Sequence, residues 1–280
     1  MTGEGGRTVP AVWAPGQSAS GQASIARARL CWLEGADPRH YTNADQVLAD
    51  QIMVCAPQLP YGVRAHRSFL GRVVRHLVAS GVRQFVDLGS GVPAAGNVHE
   101  IAQAIDPECR VVYVDIDPVV VAEGRAMLDG TANVGYAQAD LRRPDQVLGS
   151  PEVRELLDLD QRVAVSLVDI LHFVPNSDDP ARIVRTYLNA VSAGSYLAVS
   201  HMGRDVGILA AMEMFGQMYG NPLPTLIFRG KQRIAELCIG LEPIAPGVVP
   251  VPLWRPDGTD TDNDRHPELF PDVAVVARKP

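Results

Sequence analysis

The sequence contains little cysteine and few aromatic residues. It has 4 Cys among 280 residues, and Phe, Trp and Tyr together make up 6%. The cysteines are widely separated and include no C-x-x-C pair: Cys31, Cys55, Cys109 and Cys238. This spacing argues against both a disulfide framework and a cysteine-based zinc site. We therefore expect buried or neutral thiols and no metal centre.

Positive charge and long apolar runs are scarce as well. The 25 Lys and Arg against 32 Asp and Glu give a formal net charge of −7, so the chain has no overall attraction for nucleic acids or anionic lipids. No run approaches the roughly 20 apolar residues of a membrane-spanning helix, and the first residues lack the basic-then-apolar order of a signal peptide. We expect a cytoplasmic protein with a small-molecule substrate and neither nucleic acid nor membrane as partner. A homodimer and a complex with a smaller protein are the possible assemblies.

The chain divides into three parts by composition. Hydrophobic residues make up 46% of it, enough for a sizeable core. Residues 1–22 are rich in Gly, Pro, Ala and Ser, which predicts a flexible arm. Residues 23–62 show short helical patterns interrupted by Gly and Pro, which predicts a helical lid. Residues 63–280 follow a regular pattern and predict one main domain.

That main domain alternates strands and helices. Apolar runs between turn residues predict five strands, at 85–88, 111–114, 134–137, 163–168 and 196–199. Helical segments lie between them, at 98–105, 119–128, 151–157 and 181–191. Two further helices and two apolar runs, at 247–254 and 272–277, predict an antiparallel hairpin that closes the sheet. Right-handed crossovers then favour a doubly wound α/β fold with a mostly parallel, seven-stranded sheet.

The clearest ligand signal is the segment Q-F-V-D-L-G-S-G-V-P. A strand ends at Asp87, and the chain then turns through Gly89, Ser90 and Gly91. Glycine permits positive φ and removes the Cβ that would keep a ligand away from the backbone. By itself this glycine pattern is weak evidence, because similar patterns occur by chance.

Two more strands end in acidic residues. Asp115, followed by Ile116, ends the second strand, where a carboxylate can accept hydrogen bonds from both hydroxyls of a ribose. Asp140 ends the third strand, where it can accept from the exocyclic amine of adenine while the Leu141 amide faces a ring nitrogen. Three carboxylates at neighbouring strand ends would repel a pyrophosphate. The pattern therefore favours a cationic nucleoside.

This constellation resembles the class I S-adenosylmethionine-dependent methyltransferases, with their D/E-x-G-x-G loop and acidic ends of the second and third strands. The stretches R-S-F-L-G-R-V-V-R-H-L, N-V-H-E, L-H-F-V-P and P-G-V-V-P-V-P-L-W-R-P look like the actinobacterial S-adenosyl methyltransferase family, formerly a domain of unknown function. The resemblance implies a Rossmann-like methyltransferase fold and S-adenosylmethionine, or bound S-adenosylhomocysteine, as cofactor. It assigns the cofactor to Asp87, Gly89, Ser90, Gly91, Asp115, Ile116, Asp140 and Leu141.

Two positions depart from that family. Where members have V-Y-D-Y-L-L after an S-I-A-R start, this chain has A-R-L-C-W-L, so Arg29, Leu30 and Cys31 replace tyrosine, aspartate and tyrosine. After the fourth strand, Asp169 stands where the family more often has a small or apolar residue. The resemblance therefore implies a rebuilt lid above an altered reacting centre.

The candidate catalytic residues follow the fourth and fifth strands. Asp169 is expected to act as a base or to bind a substrate cation, and His172, in a motif shared with the family, either takes part in the chemistry or orients the loop. His201 directly follows the fifth strand, and we expect it to point at the crevice mouth and to move a proton.

The expected function is methyl transfer from S-adenosylmethionine to a small-molecule acceptor in secondary metabolism, such as antibiotic biosynthesis. Two alternatives stay open at this point. One keeps the scaffold for a non-methylating reaction, an elimination or an intramolecular ring closure. The other is a non-catalytic binding subunit.

Overall fold

The computed structural model describes residues 23–33, 37–94, 96–220, 223–258 and 266–280. The arm expected at residues 1–22 lies outside the described residues. The strands are β1 Gln84–Leu88, β2 Arg110–Asp115, β3 Val134–Gln138, β4 Val163–Val168, β5 Tyr196–His201, β6 Glu242–Pro243, β7 Val249–Pro250 and β8 Val273–Arg278. The helices are α1 Ile25–Ala28, α2 Asn43–Cys55, α3 Leu59–Ala79, α4 Val98–Ile105, α5 Pro118–Met127, α6 Pro144–Leu148, α7 Pro151–Leu156, α8 Pro180–Ala190, α9 Val206–Tyr219 and α10 Lys231–Glu236.

The strands form one sheet in the order β3-β2-β1-β4-β5-β8-β6, and β7 also pairs with β8. Strands β1 to β5 are parallel to one another, whereas β8 is antiparallel to β5. This confirms the doubly wound, mostly parallel α/β fold, although the described residues form eight strands where seven were expected. The chain order reverses between β1 and β4, and such a switch point opens a crevice outside the carboxyl ends of the two strands.

Helices cover both faces of the sheet because the inner strands bury side chains on both sides. On one face Phe85 of β1 packs with Phe69 and Leu77 of α3. On the other face Val86 of β1 packs with Ile183 of α8. The two-residue alternation of a strand therefore sends consecutive β1 side chains into different cores. This packing on both faces holds the carboxyl end of β1 in place below the crevice.

The sheet edge differs from the expected hairpin. Of the apolar run at 247–254, β7 alone pairs with β8. Pro250 and Pro252 have no N–H to donate to a ladder, so the chain continues as a 3-10 helix at Val251–Leu253. A second short strand, β6, also pairs antiparallel with β8.

Helix α3 begins earlier than the apolar spacing indicates. Pro60 lies in its first turn, where a missing N–H breaks no helical hydrogen bond. The expected boundary at residue 62 therefore falls inside a continuous helix. The division into arm, lid and main domain stays a prediction.

The segment expected to form a lid, called the lid below, consists of α1, 3-10 helices at Arg29–Trp32 and Pro38–His40, α2, and the first turn of α3. Its centre is the fully buried Asp45. The Asp45 carboxylate accepts from Arg27 Nε at 2.9 Å and from the backbone N–H groups of Ser24 at 2.8 Å and Thr42 at 2.7 Å. These contacts tie α1 to α2. None of the described helices has the length and apolar character needed to cross a membrane.

Candidate functional site

A cavity lies at the carboxyl ends of β1 to β4, beneath the lid. Its empty volume, counted out to the open mouth, is about 1470 Å³. Arg29 and Leu33 of the lid, His66 and Arg67 of α3, and the segments after β1, β2, β3 and β4 line it. The predicted cofactor residues Asp87, Gly89, Ser90, Gly91, Asp115, Ile116, Asp140 and Leu141 all contribute to this wall.

The glycine bend after β1 needs both of its glycines, for different reasons. Gly89 has φ 70° and Gly91 has φ 66°, in the left-handed region. A Cβ on Gly89 would lie 2.2 Å from the Ile170 side chain, whereas a Cβ on Gly91 would meet nothing within 4 Å. Gly89 therefore allows close packing against the segment after β4. Gly91 leaves open space next to the backbone, as a bound ligand requires.

Asp115 holds this bend from the end of β2. Its Oδ2 accepts the Gly91 N–H at 3.0 Å, and its Oδ1 accepts the Asp117 N–H at 3.0 Å. Burial raises the pKa of Asp115, and the backbone donors oppose that shift. A carboxylate offers about four acceptor positions. Asp115 therefore has acceptor positions left for the hydroxyl groups of a ligand.

Asp87 lies deeper, at the end of β1. Its Oδ1 accepts from Ser166 Oγ at 2.5 Å. Burial raises the pKa of the Asp87 carboxyl, while the hydrogen bond from Ser166 and the charge of Arg67 lower it. Arg67 donates to Ala94 O at 2.9 Å and to Asn97 Oδ1 at 2.7 Å, so it braces the chain that follows the glycine bend.

Asp140 is already engaged by its neighbour Arg142. The Arg142 Nε is 3.0 Å from both carboxylate oxygens, Nη2 is 2.8 Å from Oδ2, and the backbone N–H is 2.9 Å from Oδ1. Burial raises the pKa of Asp140, but these donors outweigh burial and lower it. A contact from Asp140 to adenine therefore requires Arg142 to give up part of this pairing.

Asp169 lies on the cavity wall at the end of β4, and the lid's Arg29 donates to its Oδ2. Arg29 and Asp169, which both depart from the family pattern, therefore form an ion pair with each other. Burial raises the pKa of Asp169, but Arg29 and the neighbouring imidazoles outweigh it and hold the pKa well below its ordinary value. Asp169 is consequently an anion and a weak base.

His172 and His201 do not belong to the wall formed by the described residues, which corrects the expectation that His201 faces the crevice mouth. Both side chains are buried. His201 Nδ1 lies 2.8 Å from Met202 O and its Nε2 lies 3.1 Å from Arg229 Nη1. Because the carbonyl accepts and the guanidinium donates, the ring is a neutral tautomer with no nitrogen left for a substrate.

Two residues of the cavity wall, His66 and Arg67, are not predicted by the sequence motifs. His66 is buried, and its ring nitrogens lie 2.7 Å from Ser200 Oγ and 3.0 Å from Asp272 Oδ2. A signal for it exists in the sequence, since His66 precedes Phe69 and Leu70 by helical spacing and so belongs to the apolar face of α3. In the described ranges, no group of three or more His, Cys, Asp or Glu side chains is arranged to hold a metal ion.

Comparisons with known proteins agree with this geometry. A model of the S-adenosyl methyltransferase family matches residues 13–280. Among solved structures, a DUF574 family protein from Streptomyces avermitilis is 37% identical, with a TM-score of 0.81, and the match covers 92% of this chain and 98% of that one. A candidate methyltransferase from Thermobifida fusca is 35% identical, with a TM-score of 0.79 and coverage of 92% and 95%. A search of curated proteins found no match. The chain therefore belongs to the S-adenosyl methyltransferase family.

Proposed function

We propose that the protein transfers a methyl group from S-adenosylmethionine to a small-molecule acceptor. Family membership makes it a methyltransferase-like enzyme with that cofactor. The small acceptor is supported by one observation: the cavity continues from the glycine bend to the ion pair of Arg29 and Asp169 beneath a packed lid. Sites of this kind enclose most of a small ligand. A role in secondary metabolism and a protein partner stay predictions.

The residues around the glycine bend fit the cofactor. Gly91 leaves open space at the backbone, and Asp115 retains acceptor positions for the two ribose hydroxyls. Ile116 and Leu141 offer apolar contacts for adenine. Asp87 lies where it can face the ligand's ammonium group. When bound, the cofactor supplies a reactive methyl group on a sulfonium and a neutral leaving group.

The chain's own contribution is to position the acceptor and exclude water. Apolar lid side chains, among them Ile25, Leu30 and Leu33, line the cavity on the side of Arg29. Asp169 can orient a hydrogen-bond donor of the acceptor, but its low pKa makes it a poor general base. We therefore assign Asp169 to orientation. Near-attack placement of this kind accounts for much of the catalysis in such reactions.

The alternative of a proton-moving elimination or ring closure finds less support. It relies on the rebuilt lid and on Asp169 as the group that moves a proton. Asp169 is paired with Arg29, and His201 is neutral with both nitrogens engaged. No specific contact within the described part of the chain favours the binding-subunit alternative either.

Calorimetry with the purified chain tests the cofactor half of the proposal. We expect wild type to bind S-adenosylhomocysteine and Asp115→Ala to lose that binding. Asp145→Ala is the matched control, because Asp145 is exposed and lies outside the cavity wall. A wild type that binds neither S-adenosylmethionine nor S-adenosylhomocysteine would contradict the proposal.

Methyl-labelled S-adenosylmethionine tests the acceptor half. Wild type is incubated with the small-molecule fraction of a cell extract or with its macromolecular fraction. We expect mass spectrometry to find the label in the small-molecule fraction and Asp115→Ala to abolish it. Label confined to protein or RNA would contradict a small acceptor.

A further inference from the structure

His66 connects three adjacent strand ends. Its Nδ1 lies 2.7 Å from Ser200 Oγ on β5, and its Nε2 lies 3.0 Å from Oδ2 of Asp272, directly before β8. Nε2 is also 3.6 Å from Oδ1 of Asp169, directly after β4. A single buried imidazole from α3 thus contacts the ends of β4, β5 and β8.

These contacts favour the charged form of the His66 ring. A carboxylate only accepts hydrogen bonds, so Nε2 carries a hydrogen towards Asp272. Burial lowers the pKa of His66 and Arg29 lowers it further, but the carboxylates of Asp169 and Asp272 outweigh both and raise it above its ordinary value.

Two other imidazoles lie near Asp169: His172 Nδ1 is 3.5 Å from its Oδ1, and the His201 ring centroid is 6.1 Å from that of His172. Burial is the main cause that lowers their pKa values, to about 3 for His172 and about 4 for His201. Both rings are therefore neutral near pH 7. Of the imidazoles beside Asp169, His66 is the one whose carboxylate neighbours raise the pKa and favour the protonated form.

Asp169 is fixed in an uncommon conformation. Its φ is 54°, in the left-handed region that residues other than glycine rarely adopt. Its backbone N–H donates to Ser200 O at 3.1 Å. Its buried Oδ1 has no hydrogen-bond partner among the described residues and lies 3.5 Å from His172 Nδ1 and 3.6 Å from His66 Nε2, while Oδ2 accepts from Arg29. Strained residues of this kind persist where the surroundings over-determine them.

We propose that His66 is a positioning residue that keeps the lid closed. Held as a cation between two carboxylates, it fixes Asp169, and Asp169 in turn holds Arg29 and the lid helix that carries it. The inference rests on the proposed function in that the covered cavity is the cofactor and acceptor site. The contacts among His66, Asp272, Asp169 and Arg29 are made by the chain alone and do not require a ligand.

The pH dependence of lid closure follows from the titrations of His66 and Asp169. The charge on His66 is present below its raised pKa and is lost as pH rises through that value. The charge on Asp169 is lost at strongly acidic pH, because its pKa lies well below the ordinary value. We therefore expect the lid to be held most firmly between these two titrations and to open on the alkaline side.

Hydrogen exchange read by mass spectrometry, on the full chain without ligand, tests this inference. NMR of the His66 imidazole gives its titration. After correction for intrinsic exchange, amides of α1 and α2 in wild type are expected to open about tenfold more as His66 loses its proton, a change that corresponds to about 1.4 kcal/mol. His66→Gln keeps hydrogen-bonding atoms without the charge. This variant should open the lid to a similar extent at all pH values, so that lid exchange no longer changes across the pH range of the His66 titration.

Arg29→Gln provides a second route if His66→Gln unfolds, because it cuts the same connection from a partly exposed side chain. It should reproduce the open lid without a pH step. The matched control is His76→Gln, on the same helix but in contact with Arg255 and Trp254, and it should exchange like wild type. Wild-type lid exchange that stays flat across the His66 titration, or that Arg29→Gln leaves unchanged, overturns the inference. A failure of wild type to bind S-adenosylhomocysteine would instead count against the proposed function alone.

Discussion

Asp115 at the end of β2 accepts the backbone N–H of Gly91 through Oδ2, at 3.0 Å. The acid expected to bind a ribose therefore also shapes the glycine bend before any ligand arrives. The bend is further limited on its other side, where Gly89 approaches the Ile170 side chain. The bend is thus held between the end of β2 and the segment after β4.

Alanine substitutions should separate the two roles of the glycines. Gly89→Ala forces a Cβ into Ile170 at a positive φ, and we expect a loss of about 2–5 kcal/mol in the free energy of unfolding. Gly91→Ala meets open space, so we expect a loss of about 1–2 kcal/mol from its positive φ. Its methyl group should nevertheless weaken binding of S-adenosylhomocysteine, because Gly91 lines the cavity. Urea unfolding and calorimetry measure the two effects. Equal losses of stability in both variants would contradict this distinction.

Arg142→Ala should strengthen cofactor binding. Arg142 occupies the Asp140 carboxylate that the adenine amine would use. Its side chain is 37% exposed, and exposed pairs are worth up to about 1 kcal/mol, so we expect about two- to fivefold tighter binding of S-adenosylhomocysteine by calorimetry. Arg143→Ala is the matched control, since Arg143 is exposed and lies outside the described cavity wall. Weaker binding by Arg142→Ala would show that the arginine itself contacts the ligand.

Local patterns predicted the elements that place the cofactor. The five parallel strands and the helix Val98–Ile105 follow from apolar runs between turn residues, and the structure confirms them. The family resemblance and the cofactor are confirmed as well. The individual site residues stay predictions, although the cavity wall brings the eight proposed cofactor residues together.

The remaining features depend on where individual side chains point and on which groups they contact. No local pattern pairs Arg29 with Asp169, which stands 140 residues later. His201 follows a strand as a ligand-facing residue would, but Arg229 and Met202 occupy its two nitrogens. Asp140 matches the motif, yet its engagement by Arg142 depends on how that side chain folds back. In each of these examples the orientation of a side chain determines its partner, and strand and helix patterns do not predict that orientation.

The lid should depend on the buried carboxylate of Asp45. Asp45→Ala removes the acceptor of Arg27 and of two backbone N–H groups, and breaking a buried pair of this kind costs about 3–5 kcal/mol. We expect limited proteolysis to cut α1 and α2 faster while the sheet stays resistant. Asp50→Ala is the control, because Asp50 is exposed on α2. Unchanged cleavage of the lid in Asp45→Ala would show that apolar packing alone holds it.

The buried imidazoles should make the folded state sensitive to acid. The pKa values of His172 and His201 are lowered to about 3 and about 4, mainly by burial. In the unfolded chain both rings take up protons below about pH 6.5, so their stabilising effect is full above that pH and declines as pH falls towards the folded values. We expect the free energy of unfolding to drop on the order of 3 kcal/mol between pH 7 and pH 5.

His201→Leu should remove about half of that pH dependence. The variant is suitable because Arg229 keeps other acceptors, Leu171 O at 2.7 Å and Val174 O at 2.6 Å. Urea unfolding of both proteins at pH 7 and pH 5 gives the two slopes, and the variant is compared with wild type at each pH. If His201→Leu keeps the full wild-type slope, His201 is not neutral in the folded chain, and its assignment as a structural residue fails. A reduced slope is the result expected for a buried, neutral His201 that lies outside the cavity wall formed by the described residues.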